Sequence, residues 1–323
     1  MIISKTPLRI SFTGGGTDIS SFYETYGGAV VSTTINKYIY VMVKARFDRK
    51  IRVVGTSLQE ADNAEEVGHD LVREALKMTG IQNGVEIIIV ADIPSGGTGL
   101  GSSSSLTVGL LHALYAYRGQ TVSPMRLAEQ ACAIEIQALR QPIGKQDQYA
   151  AALGGLRHYR FAADGNVHTE RIQLNEQQRG DLQSKLLLFY TGVARSASAI
   201  LNKQMEMKER NAGMLLQIKK HCADLKGELE QGNLAFMGTV LHAGWELKRK
   251  LANGITNERI DDWYETAMRV GATGGKVAGA GGGGFLLFYA DEEIHPALRE
   301  ALPLQEMAFA LDDEGTRIMV HND

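Results

Sequence analysis

Cysteine, proline and tryptophan are scarce in this chain: 323 residues include 2 Cys, 6 Pro and 2 Trp. Cys132 and Cys222 stand far apart, and no Cys or His sits at metal-ligand spacing, so a disulfide framework and a structural zinc site are excluded. No apolar run reaches the roughly 18 residues that a membrane span needs. The first nine residues set Lys5 and Arg9 around a proline with no apolar block behind them, unlike a secretory signal. Charge of one sign is also missing: 34 Lys and Arg face 37 Asp and Glu, a net charge of −3, which leaves no basic footprint for nucleic acid. We therefore expect a cytoplasmic protein without nucleic-acid or membrane partners; a homodimer is compatible with the sequence. Hydrophobic and charged fractions of 44% and 22% are ordinary globular values and exclude disordered and fibrous classes. The length allows one large or two medium domains.

Glycine, by contrast, is in excess, with 36 residues where average usage is roughly 7%. Fifteen of the 36 fall in three short segments, 14–16, 96–101 and 271–284, so they punctuate the sequence rather than loosen it. Between the segments, period-2 and apolar runs predict strands at 8–13, 29–34 and 38–46, with a turn at 48–50 folding the last onto 51–54. A helix is expected over 65–78, a buried strand over 85–90, and a buried helix behind the serine run 102–105. A further helix spans 124–139, with Ser123 as N-cap. Strands 156–161 and 167–172 form a hairpin about Asp164 and Gly165. The polar stretch 173–180 is the expected domain boundary. Beyond it lie a strand at 186–190, helices over 197–231, 234–251 and 260–270, the strand 285–289, a short helix, and last strands near 307–310 and 317–320. Such an order suits a two-layered α+β arrangement.

The middle segment, PSGGTGLGSSSS at 94–105, lies between a buried strand and a buried helix. Glycine allows positive φ and close approach of the backbone to a ligand. The free N–H groups and dipole of a helix start favour an anion, and serine hydroxyls add donors or a metal ligand. The segment reads as a phosphate cradle, against the plainer alternative of a serine-capped turn. It is not a Walker A loop, since the Gly275–Lys276 pair is followed by Val277, and neither early glycine cluster fits a dinucleotide fingerprint.

Three motifs in order, PLRISFTGGGTD (7–18), PSGGTGLGSSSS (94–105) and KVAGAGGGGF (276–285), make the chain resemble a GHMP kinase, the superfamily of galactokinase, homoserine kinase, mevalonate kinase and phosphomevalonate kinase. RISFTGGGTD together with GKQDQYAAALGG (144–155) is similar to the branch holding heptose 7-phosphate kinases and the kinase domain of L-fucokinase. The resemblance implies an α+β, two-domain fold. Residues 1–178 would form an ATP-binding domain with a left-handed βαβ unit, contrary to the general rule, and 179–323 a ferredoxin-like C-terminal domain. It also implies ATP and Mg²⁺, and a small-molecule sugar phosphate as acceptor. An L-fucose-type sugar kinase and a catalytically silent sugar and nucleotide sensor are the alternatives.

By the same resemblance Asp147 would act on the attacking hydroxyl, and Arg9 would support it and the transferring charge. Read alone, Asp147 could equally cap a helix and Arg9 sit on a strand surface. The nucleotide phosphates would lie on Gly97, Thr98, Gly99, Leu100, Gly101, Ser102, Ser103 and Ser104. Gly15, Gly16, Thr17 and Asp18 would meet the sugar; Asp18 could instead cap the segment after it. Residues 279–284 would press their backbone against the active site from the second domain, with Gly281 and Gly282 at the substrate, or form a tight packing turn. Ser103 and Glu135 would hold Mg²⁺, hard oxygen ligands suited to it, although Glu135 could be a solvated helix residue. For the phosphate of the sugar, Lys145 and Arg195 are the favoured cations among several, Arg140, Lys203 and Lys276 included.

Overall fold

The computed structural model describes residues 1–94, 97–193 and 197–321. The chain begins with two long antiparallel strands, β1 (Ile2–Thr13) and β2 (Gly28–Ala45), joined through helix α1 (Ser20–Tyr26). The two strands expected at 29–34 and 38–46 are one. A register shift pairs Pro7 with Tyr38 but Leu8 with Ile35, and the bulge absorbs Asn36 and Lys37 without ending the ladder.

Strands β3 (Ile51–Val54) and β4 (Leu58–Ala61) follow, then α2 (Asp70–Thr79) and β5 (Val85–Ala91). Here the expected hairpin of 38–46 with 51–54 is corrected. β5 lies between them, antiparallel to β2 and parallel to β3, with Ile87 opposite both Val43 and Val53. Alternation marks a strand but not its neighbour, and the buried Val85 and Ile87 are covered on both sides only in the central place. The parallel β3–β5 pair, bridged by α2, is the βαβ unit of this layer. The helix expected from 65 begins instead at Asp70, after a separate turn at Ala64–Glu66 that Asn63 caps.

Helix α3 (Ser102–Tyr117) is buried on most sides, as its pattern predicts. α4 (Pro124–Cys132) carries the expected Ser123 cap and runs on as a π-helical turn, Ala133–Ala138. α5 (Gln146–Leu153) precedes the hairpin of β6 (Arg157–Phe161) and β7 (Val167–Arg171). The polar stretch at 173–180 is not a linker. Asn175 and Gln178 form a capping box that starts α6 (Glu176–Ser184), and polarity here is that of an exposed helix.

The second half comprises β8 (Leu186–Tyr190), α7 (Ala197–Glu206), α8 (Lys208–Glu230), α9 (Phe236–Lys248), α10 (Glu258–Val270), β9 (Gly274–Val277), β10 (Phe285–Tyr289), α11 (His295–Ala301) and β11 (Gln305–Glu306). Its sheet has the antiparallel order β11-β8-β10-β9, the strand arrangement of the expected ferredoxin-like layer with extra helices. β8 and β10 read as unbroken apolar runs because both faces are buried. Leu186 and Leu188 belong to the core shared with the first layer, whereas Leu187 and Phe189 belong to a second core under α9 and α10.

The chain then returns. β12 (Leu311–Asp312) and β13 (Arg317–His321) pair with β2 and β1, completing a nine-stranded sheet. A single division between 1–178 and 179–323 is thereby corrected, since 311–321 belong to the first layer. The return passes close over α5: Thr316 donates its N–H to Ala151 at 2.9 Å, and a Cβ on Gly315 would lie 2.0 Å from the Ala152 carbonyl. Gly315→Ala is expected to cost about 1–3 kcal/mol of stability through overpacking, read as a lower chemical-denaturation midpoint; an unchanged midpoint would show that the return strand does not brace α5.

Candidate active site

A cleft of about 550 Å³ opens where the two layers meet, and the three glycine segments converge on it. At its head is Arg9, 4% exposed on β1. Its guanidinium reaches Asp147 Oδ1 from Nε at 2.7 Å and from Nη2 at 2.6 Å, and donates from Nη1 to the Gly99 carbonyl at 2.7 Å. The Arg9 N–H donates to the Leu100 carbonyl at 3.0 Å. One side chain thus ties β1, the first turn of α5 and the glycine loop together. Asp147 remains a quarter exposed, and its Oδ2 accepts no hydrogen bond among the described residues, so this oxygen is available to a ligand.

Asp18 lies beside this pair, 2% exposed. Its Oδ1 accepts from the Gly16 N–H at 3.0 Å, and its Oδ2 from the Gln146 N–H and Nε2 at 3.2 and 3.0 Å. Burial, then the neighbouring Asp147 charge, push its pKa up, while those N–H donors oppose the rise. Gly144 makes the arrangement possible, because a Cβ there would stand 1.9 Å from Asp18 Oδ2.

The loop ahead of α3 holds Gly97, Gly99 and Gly101 at φ of 67°, 78° and 79°, a left-handed region that disfavours other residues. The third glycine segment is pressed against it. A Cβ on Gly99 would lie 2.4 Å from the Ala278 carbonyl, one on Gly279 2.5 Å from Gly99 Cα, and one on Gly284 2.4 Å from the Thr98 carbonyl. Behind the loop, Glu135 is fully buried and accepts from Ser103 Oγ at 2.6 Å and from Ser104 Oγ and Gln148 Nε2 at 2.7 Å. Burial raises its pKa against those three donors.

Residues 67–155 match the GHMP kinases N terminal domain and residues 221–305 the GHMP kinases C terminal, together more than half of the chain. The chain belongs to the GHMP kinases. It is 28% identical over 335 residues to the D-glycero-alpha-D-manno-heptose 7-phosphate kinase of Campylobacter jejuni, covering 98% of both chains. It is 24% identical to the L-fucokinase/L-fucose-1-P guanylyltransferase of Bacteroides fragilis, of which it spans 38%. A D-glycero-D-manno-heptose 1-phosphate kinase from Bacteroides thetaiotaomicron superposes with a TM-score of 0.82 at 25% identity, over 100% of each chain. As a GHMP kinase the chain is an ATP-dependent phosphotransferase with a hydroxyl group as acceptor. Among the described residues no helix is long and apolar enough to cross a membrane.

In this GHMP kinase the cleft gathers Arg9, Asp147, Asp18, Gly15, Gly16, Gly97, Thr98, Gly99, Gly101, Ser102, Ser103, Ser104 and Gly281. Other expected residues lie elsewhere. Thr17 is buried and clamps its own loop, its one hydroxyl hydrogen shared between the Gly14 and Ala29 carbonyls, each 2.8 Å away. Lys145 donates to the Gly165 carbonyl at 2.8 Å and covers the Tyr23 ring, away from the cleft. Leu100 is buried and contributes its carbonyl to Arg9. Gly282 spends its N–H on the Ile255 carbonyl at 2.8 Å and lines a separate groove with Trp263. Glu135 does not line the cleft; the serine hydroxyls stand in front of it. Arg195 lies outside the described residues.

Lys248 was missed, yet a signal existed. Met237, Leu241 and Trp245 mark a buried stripe along α9, and Lys248 continues it; a lysine on an apolar stripe is rarely there for packing. Gln146 and Gln204, also in the cleft, have no comparable signature. Gly144→Ala is expected to displace Asp18 and lower sugar-dependent kcat/KM by roughly a hundredfold, the usual effect of moving a positioning group by about an ångström. Steady-state kinetics with an unchanged KM for ATP would fit this; full activity would contradict it.

Proposed function

We propose that this kinase transfers the γ-phosphoryl group of ATP to the anomeric hydroxyl of D-glycero-α-D-manno-heptose 7-phosphate, giving the 1,7-bisphosphate. The observation that carries the reading is the Arg9–Asp147 pair at the head of a cleft that also holds Asp18 and the α3 N-terminus. The choice of a heptose phosphate rests on relatives named for heptose phosphates that match the chain over its whole length, while the fucokinase relative is mostly other sequence.

In this reading the free Oδ2 of Asp147 accepts or orients the proton of the attacking hydroxyl. Arg9 holds the Asp147 carboxylate in place, and stabilises charge on the transferring group. The N–H groups of 102–104, at the positive end of α3, receive the nucleotide phosphates. Asp18, held by Gln146 and Gly16, hydrogen-bonds sugar hydroxyls.

The donor set suits magnesium. Ser103 is exposed to the cleft and gives its hydroxyl hydrogen to Glu135, so its lone pairs face outward. Glu135, buried behind it with three neutral partners, would orient that hydroxyl from behind, so the hard oxygen donor facing the cleft is Ser103, with no competing cation on the supporting carboxylate. Magnesium held there would neutralise charge on the β- and γ-phosphates.

The deciving comparison is ATP turnover with the heptose 7-phosphate, the heptose 1-phosphate, L-fucose, galactose and mevalonate, with the phosphorylated position read by ³¹P NMR. The expected outcome is the highest kcat/KM for the 7-phosphate and a new anomeric phosphate; equal use of the panel would overturn the substrate assignment. Asp147→Asn should lower turnover by roughly 10²–10⁴-fold, and unchanged turnover would remove Asp147 from the mechanism whatever the sugar. Glu135→Gln should raise the magnesium concentration needed for half-maximal rate; an identical magnesium titration would rule Glu135 out as a metal partner.

A further inference from the structure

We propose that Lys248 and Lys276 form the cradle for the phosphate that the acceptor sugar already carries. The inference rests on the substrate reading above and assigns residues to it. Both lysines line the cleft, and they are 8% and 6% exposed. Lys276, on β9, donates from Nζ to the Ser11 and Phe12 carbonyls at 2.8 and 3.1 Å. Lys248, at the end of α9, donates to the Gly279 carbonyl. Neither forms an ion pair with any carboxylate among the described residues.

Buried cations are normally paired, because an unpaired ammonium loses its hydration with nothing in return. Here the nearby acids are already engaged. Asp147 is held by Arg9, and Asp18 by Gln146 and Gly16. Burial, with Arg9 nearby, brings Lys248 down to about 8, and burial, then Lys248 and Arg9, take Lys276 well below its ordinary value. Asp18 and Asp147 pull Lys248 the other way without cancelling the shift. The site is short of negative charge, and a dianion bound by the two lysines would favour the protonated form of both.

An ammonium carries three donors. With two of the Lys276 hydrogens and one of the Lys248 hydrogens spent on carbonyls, three remain for the terminal oxygens of a phosphate. ATP already has the α3 terminus and the serine loop. Lys276 is anchored instead on the stretch of β1 between Arg9 and the Gly15–Asp18 loop, the wall assigned to the sugar. A phosphate on the acceptor fits that place, and an unphosphorylated hexose would leave it unpaired.

The test compares wild type, Lys248→Gln and Lys276→Met with ATP and either D-glycero-D-manno-heptose 7-phosphate or the unphosphorylated heptose. Each substitution should raise KM for the phosphorylated sugar roughly ten- to a hundredfold, collapse the preference for it over the unphosphorylated sugar, and leave KM for ATP unchanged, which also reports an intact fold. In wild type, kcat/KM for the phosphorylated sugar should fall as pH rises through about 8, where Lys248 loses its proton, and Lys248→Gln should flatten that fall. Inorganic phosphate should raise the melting temperature of wild type more than that of the double variant. A wild-type preference that survives both substitutions, or a loss confined to KM for ATP, overturns the lysine assignment. A wild-type enzyme indifferent to the phosphate of the sugar overturns the substrate reading itself.

Discussion

The contact between the Arg9 guanidinium and the Asp147 carboxylate is the constraint around which the rest is arranged. Arg9 can serve it only because β1 is fixed on both edges, by β2 and by the returning β13. Asp147 can serve it only because the first turn of α5 is held at the opposite end by the same return segment, through Thr316 and the Ala151 carbonyl. The Arg9 Nη1 and main-chain N–H close on Gly99 and Leu100, so a charge pair and the glycine loop ahead of α3 are positioned by one residue. A charge-assisted pair of this kind is strong when its geometry is fixed in advance and weak when it is not.

Glycine is what lets the pieces approach. The third segment does not reach into the cleft chiefly as a ligand; it lies backbone against backbone on the second, at Gly99, Gly279 and Gly284, where a single Cβ would force the strands of contact apart. Gly144 does the same for Asp18. The electrostatic result is uneven. The acids are surrounded by N–H and hydroxyl donors, whereas Lys248 and Lys276 meet only carbonyls. Two buried cations in the cleft are thus left without a carboxylate partner among the described residues.

The parts of this structure that were legible in the sequence are those with a local cause. The three motifs, the buried α3, the Ser123 cap and the 285–289 strand follow from spacing, capping and apolar runs. The placement of β5 between β2 and β3 does not, because partner choice is decided by distant burial. Nor does the return of 311–321 to the first sheet, which divides neither by composition nor by length. At the site, Arg9, Asp147 and Asp18 were recoverable because motif spacing carries them. Lys145 was misplaced because a lysine two residues before Asp147 looks the same whether it faces the cleft or, as here, the Tyr23 ring. Glu135 was named as a ligand, and its position behind two serine hydroxyls is a matter of layer depth that spacing does not encode.

If the Arg9–Asp147 pair is the working unit, its members cannot contribute independently. A double-mutant cycle on kcat with Arg9→Met, Asp147→Asn and the double variant tests this most directly. The account predicts strong non-additivity, with the double variant about as slow as Asp147→Asn alone. Rate losses that simply multiply would mean that the two side chains act separately, and would contradict it.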